Sequence, residues 1–282
     1  MLIVESPSAM HAWSTEQHGL GQRVGLVPTM GALHQGHLAL ISEARRHCDV
    51  VVVSIFVNPL QFNRRDDFDG YPRPMSDDVE QCRAHGVDAI YAPTAGAMYP
   101  AEFDTHVEPG AVALGLEGAG RPGHFRGVAT VVTKLLNAVR PQVAVFGEKD
   151  FQQLAVIRRM VADLDMGIDI IGIATVRESD GLALSSRNRR LNDEQRNAAV
   201  VVPRALAAVQ EAFGRGTSHS EELRNAAARF VADEPLAHLE YVDIVDPTSL
   251  QPAQIATPGA RVVVAVWFGE IRLIDNIELS TP

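Results

Sequence analysis

Two histidines and two glycines lie close together in the segment Pro28-Thr29-Met30-Gly31-Ala32-Leu33-His34-Gln35-Gly36-His37. His34 and His37 are three residues apart, which would place both imidazoles on one face if the segment begins a helix. Backbone N–H groups and the helix dipole attract anions at a helix start, and Gly31 and Gly36 would let a phosphate approach the backbone closely. Imidazole donors aimed at a phosphate that gains charge in a transition state would assist phosphoryl or adenylyl transfer. The segment therefore predicts nucleotide phosphate chemistry.

A short strand and a helix must position these imidazoles. Arg23 to Val27 is typical of a buried strand that Pro28 ends, and Leu38 to Arg46 carries apolar residues at helical spacing. This pattern predicts that His34 and His37 lie at the start of the helix.

The histidine pair has two other interpretations. A zinc site would need a third or fourth ligand, and the only cysteines, Cys48 and Cys82, stand alone, which disfavours a metal. Two surface histidines on an ordinary amphipathic helix would show the same spacing. The preceding strand and the glycines favour the phosphate site over both.

Strand-like and helix-like patterns alternate over residues 1–175. The strand-like runs are Val24 to Val27, Val50 to Val57, Ala89 to Ala92, Val143 to Phe146 and Ile168 to Val176. The helix-like runs are Leu38 to Arg46, Asp77 to His85, Ala129 to Arg140 and Phe151 to Leu164. Strands rich in Val and Ile are usually buried on both faces, which predicts an α/β domain with a doubly wound, parallel, Rossmann-like sheet. Ligands bind such sheets at the carboxyl ends of the strands, so His34 and His37, Asn58 to Gln61 and Gly147 to Gln153 would converge on one crevice.

The pattern changes over residues 176–282, which we expect to form a smaller α+β domain that closes over the crevice. Its helical stretches are Asp193 to Phe213 and Ser220 to Ala232, and its strands lie near Leu239 to Val245, Val262 to Trp267 and Ile271 to Ile277. Gly269-Glu270 is typical of a hairpin turn. The glycine-rich segment Gly110 to Gly127, with Pro122, is predicted to be a mobile loop.

Composition excludes several classes of function. A net charge of -10 argues against binding to DNA or RNA, which depends on clustered Lys and Arg. No run of eighteen apolar residues occurs, and Met1 to Met10 lacks the pattern of a signal peptide. With 46% hydrophobic residues and two cysteines in 282 residues, the chain is expected to be a cytoplasmic protein with a sizeable core.

Other polar residues near predicted strand ends could also do chemistry. Lys149, in Gly147-Glu148-Lys149-Asp150, would reach a triphosphate from a strand–helix junction, although a solvated lysine is the ordinary alternative. The neutral amides of Gln61 and Gln153 suit a small polyhydroxy acid. Asp77 and Asp78 could bind Mg²⁺ directly or through water, but a helix N-cap at Ser76-Asp77-Asp78 is the favoured interpretation.

Several of these residues lie in a longer series of motifs. The first segment resembles the H-x-G-H signature of the nucleotidylyl transferase superfamily, and its full length resembles the pantothenate synthetase (pantoate–β-alanine ligase) family. Four further matches to that family follow in order: Ser54 to Phe62, His124 to Val128, Phe146 to Leu154, and last Val176 to Glu178, which runs on to Leu184 to Asn188. Five ordered blocks make the resemblance specific to the family.

The resemblance implies a cytoplasmic homodimer that joins pantoate to β-alanine with ATP and Mg²⁺, through a pantoyl adenylate. The catalytic residues would be His34, His37, Lys149 and Arg187. The residues that would bind ATP are Met30, Gly31, Ala32, Leu33, His34, Gln35, Gly36, His37, Gly147, Glu148, Lys149, Asp150, Val176, Leu184, Ser185, Ser186 and Arg187. Pantoate and β-alanine would contact Gln61, Gln153, Asn58, Tyr71 and Arg121, and Asp77 and Asp78 are the candidate metal ligands.

The loop Ser185-Ser186-Arg187-Asn188 resembles the second nucleotide-binding signature of the superfamily, in which Arg187 would neutralise leaving pyrophosphate. Without the resemblance, a serine pair before an arginine is an ordinary turn or helix cap. The family usually has Met where this chain has Leu184, a swap that conserves volume and apolar character.

Two other functions compete with this one. A different adenylyltransferase of the superfamily would act on a phosphorylated small molecule and would need cationic groups for its second phosphate, whereas Gln61 and Gln153 are neutral. A nucleotide-binding regulatory protein would not need both histidines together with Lys149 and Arg187.

Overall fold

The computed structural model describes residues 1–281. The strands are β1 (Leu2–Val4), β2 (Val24–Thr29), β3 (Val50–Ile55), β4 (Ala89–Tyr91), β5 (Val143–Gly147), β6 (Asp169–Ile173), β7 (His238–Val245), β8 (Arg261–Phe268) and β9 (Ile271–Glu278). The α-helices are α1 (Pro7–Gly19), α2 (Gln35–His47), α3 (Arg65–Asp69), α4 (Met75–Ala84), α5 (Ala95–Met98), α6 (Glu117–Gly120), α7 (His124–Val139), α8 (Phe151–Asp163), α9 (Asp193–Ala198), α10 (Val201–Gly214) and α11 (Ser220–Ala232). Short 3₁₀ turns cover Pro59–Gln61, Ala111–Ala113, Glu148–Asp150 and Ser186–Arg190.

A six-stranded parallel sheet in the order β1-β4-β3-β2-β5-β6 forms the centre of the first unit. Alternate residues of its inner strands enter two different apolar clusters: Val50 and Val52 of β3 pack in one, and Val51 and Val53 in the other. Helices therefore cover both faces of the sheet, which is the reason these strands are continuously apolar. The predicted doubly wound fold is confirmed.

The second unit contains an antiparallel sheet in the order β7-β8-β9. Residues of α10, α11, β8 and β9 form its apolar core, with Leu206, Leu223, Val264 and Phe268 among its buried members. Gly269 and Glu270 connect β8 to β9, and Gly269 has a φ of +59°. The predicted hairpin and the α+β character of this unit are confirmed.

The chain forms two compact units, and the main boundary between them lies between Ala174 and Thr175. One short internal segment packs with the second unit. The first unit contains Met1–Glu148 and Gln153–Ala174, and the second contains Lys149–Gln152 together with the chain from Thr175 onward. The predicted division lay at residue 175 without this segment. Lys149 thus belongs, by its contacts, with the smaller unit.

The prediction that Pro28 ends its strand is wrong. Strand β2 continues to Thr29, and Pro28 stands opposite Ser54 of β3. The Thr29 carbonyl accepts the Phe56 amide at 3.1 Å, so it points toward β3 and the nitrogen of the preceding Pro28 points the other way. On that side the pairing with β5 involves only Gly25 and Leu26, and proline therefore interrupts no ladder hydrogen bond.

The predicted loop from Gly110 to Gly127 is largely helical: it contains α6 and the first turn of α7. Its glycines permit close packing. A Cβ at Gly118 would lie 1.7 Å from the Ala113 carbonyl oxygen, and one at Gly127 would lie 2.3 Å from that of Leu60. Composition alone could not distinguish glycines that allow close contact from glycines that give a loop freedom.

The single helix predicted from Asp193 to Phe213 is two helices, α9 and α10. Pro203 lies in the first turn of α10, where its missing N–H is not needed, and it would interrupt a continuous helix at this point. Strand β1 and helix α1 are two further elements that the sequence pattern does not predict. Helix α1 buries only Met10 and Ser14, so its apolar periodicity is weak.

Cys48 and Cys82 are both buried and free. Burial raises the pKa of both thiols, that of Cys82 to about 12, and both side chains pack in the same apolar cluster. Within residues 1–281, no helix combines the length and apolarity needed to cross a membrane.

Substitution of Gly127 by alanine tests the close packing of α7. We expect Gly127→Ala to lower the free energy of unfolding by about 1–3 kcal/mol, because the added methyl group must displace backbone of the Pro59–Gln61 turn. Gly96→Ala in α5 is the control, since its Cβ would meet nothing within 4 Å. Urea unfolding of both variants measures the difference, and equal stability would contradict the packing argument.

Candidate active site

The two histidines begin α2, as the sequence predicted. His34 is the N-cap, and its Nδ1 accepts the Gly36 amide at 3.2 Å; His37 Nδ1 accepts the His34 amide at 3.3 Å. The ring centroids are 4.0 Å apart, so the imidazoles lie on one face. A neutral imidazole that accepts at Nδ1 carries its proton on Nε2. Both rings can therefore donate through Nε2.

Gly36 is required by the His34 ring. A Cβ at Gly36 would lie 2.9 Å from His34 Cε1 and 3.0 Å from His34 Nδ1. The sequence predicts that this glycine allows a phosphate to approach closely, but in the structure its missing side chain makes room for the capping imidazole. The H-x-G-H spacing is thus explained by local packing in addition to any ligand.

The loop before His34 turns through two left-handed residues, Gly31 with a φ of +79° and Ala32 with a φ of +51°. Asp78, on α4, accepts the Ala32 amide at 2.8 Å and the Leu33 amide at 2.7 Å, one on each carboxylate oxygen. Asp78 is only 2% exposed. Successive amides in such a turn form an anion-binding concavity, and here its anion is the protein's own carboxylate.

This arrangement corrects two expectations. Asp77 and Asp78 do not cap α4, because the helix already begins at Met75 with Pro74 as its N-cap, so both acids lie inside the first turn. The amides of Ala32 and Leu33, expected to face a phosphate, instead donate to Asp78. The Gly31 amide donates to the Thr29 hydroxyl at 3.1 Å. The imidazoles are therefore the groups of this segment best suited to a ligand.

Gln61 is positioned by Asn58. The Asn58 amide nitrogen donates to Gln61 Oε1 at 3.0 Å and to the Gly127 carbonyl at 3.1 Å, while its oxygen accepts the Tyr99 hydroxyl at 2.8 Å. Asn58 is 1% exposed, and its buried side chain links Gln61, Gly127 and Tyr99. Gln61 Nε2 also lies 3.3 Å from the sulfur of Met30, which joins this group to the histidine segment.

The backbone carbonyl of Gln61 is held by two side chains whose contacts the sequence pattern does not predict. His124 Nδ1 donates to the Gln61 carbonyl at 2.8 Å, and Arg121 donates to the same carbonyl at 3.1 Å and contacts His124 Nε2 at 3.2 Å. Glu117 lies 3.9 Å from Arg121. His124 stands in one of the family motifs, so the motif was a usable signal for it.

Tyr71 lies in a cluster of aromatic rings. Its ring packs edge-on against Phe62, with centroids 5.9 Å apart, and Phe62 packs against Phe68 at 5.4 Å. Beside this cluster a cavity of about 280 Å³ includes Met30, Phe68 and Asp78 in its lining, together with Ile55 at the end of β3. The cavity lies at the carboxyl ends of the strands, where an α/β sheet binds ligands.

The second unit carries most of the other predicted groups. Lys149 lies in the 3₁₀ turn Glu148–Asp150 directly after Gly147, and its Nζ is 4.0 Å from Asp150 Oδ1. Ser185 caps the turn Ser186–Arg190 by accepting the Arg187 amide at 3.2 Å. The Leu184 amide donates to the Val176 carbonyl at 3.0 Å. Gln153, which belongs to the first unit, is partly buried near the start of α8.

Comparisons with known proteins agree over nearly the whole chain. A family model described as pantoate-beta-alanine ligase matches residues 2–278. Pantothenate synthetase from Heliobacterium modesticaldum is 50% identical over 277 residues, which cover 98% of this chain and 99% of that protein. A crystal structure of pantothenate synthetase from Thermus thermophilus is 46% identical with a TM-score of 0.94, and the match covers 99% of this chain and 100% of that one.

A further crystal structure is of pantoate-beta-alanine ligase from Francisella tularensis complexed with beta-gamma ATP and beta-alanine. It is 35% identical with a TM-score of 0.82, and the match covers 100% of this chain and 99% of that one.

Replacement of Asp78 by asparagine tests the loop support. An asparagine side chain offers one acceptor instead of two, so one of the two buried amides loses its partner, and we expect Asp78→Asn to lower the free energy of unfolding by about 1–3 kcal/mol. The ring signals of His34 and His37 in NMR spectra should shift as well. Asp77→Asn, exposed in the same helical turn, is the control, and equal effects of the two variants would contradict the role of Asp78.

Proposed function

The chain belongs to the pantoate-beta-alanine ligase family, and we propose that it makes pantothenate in two steps. In the first step a carboxylate oxygen of pantoate attacks the α-phosphorus of ATP, and the bond from that phosphorus to the bridging oxygen breaks, releasing pyrophosphate. In the second step the amine of β-alanine attacks the acyl carbon of pantoyl adenylate, AMP leaves with the bonding electrons, and the nitrogen loses a proton. The ATP and β-alanine named in the Francisella tularensis complex support these substrates.

The observation that carries the proposal is the paired capping of His34 and His37. Each Nδ1 accepts a backbone amide, so each ring carries on Nε2 the proton that it can donate to phosphate oxygens. A donor fixed before the reaction stabilises charge that develops in the transition state at no cost of reorganisation. The first step develops negative charge on the α-phosphate under attack and on the leaving pyrophosphate, and we assign both imidazoles to it.

We assign Lys149 and Arg187, from the second unit, to the β- and γ-phosphates and the leaving pyrophosphate. Both side chains carry the positive charge that this role needs. Ser185 and Ser186 precede Arg187, and the Ser185 oxygen already accepts the Arg187 amide. This contact supports a role for Ser185 in shaping the phosphate-binding turn.

Gln61 and Gln153 are assigned to pantoate, whose hydroxyl groups and carboxylate match amide donors and acceptors. The contacts of Asn58 and Arg121 support an indirect role for both residues, because they bind the side chain and the carbonyl of Gln61 respectively. Tyr71, packed against Phe62, is assigned to the shape of the pocket.

We propose that Mg²⁺ enters with ATP and, when bound, neutralises phosphate charge. The described residues contain no group of three or more His, Cys, Asp or Glu side chains placed to bind a metal ion. Both oxygens of Asp78 accept amides, so the donors fit an ion bound mainly by the phosphates, with Asp77 in contact through water.

We further propose that the protein works in the cytoplasm as a homodimer. Its two cysteines, both free and buried, suit a reducing compartment. The dimer rests on the family resemblance.

A reconstitution assay tests the reaction. Purified protein with ATP, Mg²⁺, pantoate and β-alanine should release pyrophosphate and AMP and form pantothenate, identified by mass. Omission of β-alanine should leave enzyme-bound pantoyl adenylate and at most one pyrophosphate per site. Turnover of a phosphorylated acceptor without AMP release would favour the alternative adenylyltransferase.

Substitution of His37 tests the assigned catalytic step. Loss of a fixed donor should slow adenylate formation by about 100- to 1,000-fold, with only a modest loss of pantoate affinity because the contact strengthens in the transition state. His47→Ala, at the exposed end of the same helix, serves as the control. Rapid-quench measurement of a single turnover gives the rate constant, and an unchanged value would remove His37 from the mechanism.

A further inference from the structure

Two buried polar residues lie side by side on β9, in a strand that otherwise buries alternate side chains. Ile271 and Leu273 are buried and Arg272 and Ile274 are not, but Asp275 and Asn276 are both buried, at 3% and 4% exposure. Neighbouring residues of a strand point to opposite faces. Both faces of β9 are therefore covered at this point, and buried polar groups need partners there.

Asn276 contacts the segment that carries Lys149. Its amide nitrogen donates to the Lys149 carbonyl at 3.0 Å, and its oxygen accepts Arg261 Nη1 at 3.3 Å. The same Arg261 guanidinium lies over the ring of Phe151, 4.2 Å from the centroid. Residues 149 and 151 are thus both fixed by side chains of β8 and β9.

Asp275 contacts the segment that leads to Arg187. Its carboxylate binds Arg177 through two hydrogen bonds, of 2.6 and 3.0 Å, and Arg177 Nη1 also donates to the Gly181 carbonyl at 3.0 Å. Arg177 Nη2 lies 3.3 Å from the Asn276 carbonyl. A bidentate pair of this kind fixes geometry more strictly than a single contact.

We propose that Asp275 and Asn276 are positioning residues for the ligase reaction. Asn276 fixes the main chain at Lys149, and Asp275, through Arg177, fixes the segment before Ser185-Ser186-Arg187. Strand β9 thereby fixes the segments that carry Lys149 and lead to Arg187, the two cations assigned to the ATP phosphates. The inference rests on the proposed roles of Lys149 and Arg187, and it adds residues that act through the main chain of Lys149 and through Arg177.

Asn276→Asp is the most selective variant. It keeps the size of the side chain and an oxygen for Arg261, but it places a carboxylate oxygen against the Lys149 carbonyl in place of the donor. We expect single-turnover adenylate formation to slow about 10- to 100-fold, because a small misplacement of a catalytic group has effects of this size. The KM for pantoate should change less than twofold. Asn197→Asp, exposed on α9 of the same unit, adds the same charge and should leave the rate unchanged.

A double-mutant cycle distinguishes positioning from general damage to the fold. If Asn276 acts through Lys149, then Asn276→Asp should cause no further loss of rate in the Lys149→Ala background, whereas independent effects would multiply. Asn276→Ser, which is uncharged and too short to reach the Lys149 carbonyl, repeats the test if the aspartate variant unfolds. Urea unfolding of every variant shows which ones retain the native state.

The outcomes separate the two levels of the hypothesis. A full rate for Lys149→Ala would overturn the assigned role of Lys149. A slow Lys149→Ala combined with a normal rate for folded Asn276→Asp or Asn276→Ser would overturn the positioning role alone, as would multiplicative losses in the double variant.

Discussion

The buried carboxylate of Asp78 is the contact on which the histidine segment depends. Left-handed backbone at a residue with a Cβ, such as Ala32, costs about 1–2 kcal/mol, and a buried carboxylate is costly unless it is hydrogen-bonded. Each cost is offset by the other feature, because the left-handed turn points the amides of Ala32 and Leu33 at the two carboxylate oxygens. After this turn, His34 has the extended backbone conformation of an N-cap.

This internal anion changes how the segment would treat a phosphate. A glycine-rich loop before a helix usually offers its amides to the ligand, but here the amides at 31 to 34 and at 36 donate to groups of the protein. In the proposed reaction, charge stabilisation by this segment is therefore assigned to side chains, chiefly the two imidazoles. An imidazole reaches farther from the backbone than an amide does, which suits the role we propose for it at the α-phosphate.

Short-range pattern predicted much of this fold, and long-range contact explains what it missed. The apolar runs of β2, β3 and β5 and the helical spacing of α2 are local signals, and the parallel sheet and the histidine pair on one face followed from them. The two amides that Asp78 accepts lie 45 and 46 residues away along the chain. The sequence around Asp78 does not show whether its carboxylate binds these remote amides or caps its own helix. The prediction that Pro28 ends its strand failed for the same reason. Strand β2 can contain a proline at this position only because its pairing with β5 ends before Pro28.

Buried polar residues in an apolar strand are a local signal that the sequence did offer. Asp275-Asn276 interrupts the alternation of β9, and such an interruption indicates that another segment covers the strand. The covering segments are those of Lys149 and Arg177, which lie 127 and 98 residues away along the chain. The two units therefore use the same kind of contact: a buried acid or amide binds the backbone or the guanidinium of a remote loop. In each unit that loop carries or leads to a side chain that we assign to the ATP phosphates. Because unpaired buried groups of this kind are costly, each loop is fixed before ATP arrives, which is the preorganisation that adenylyl transfer requires.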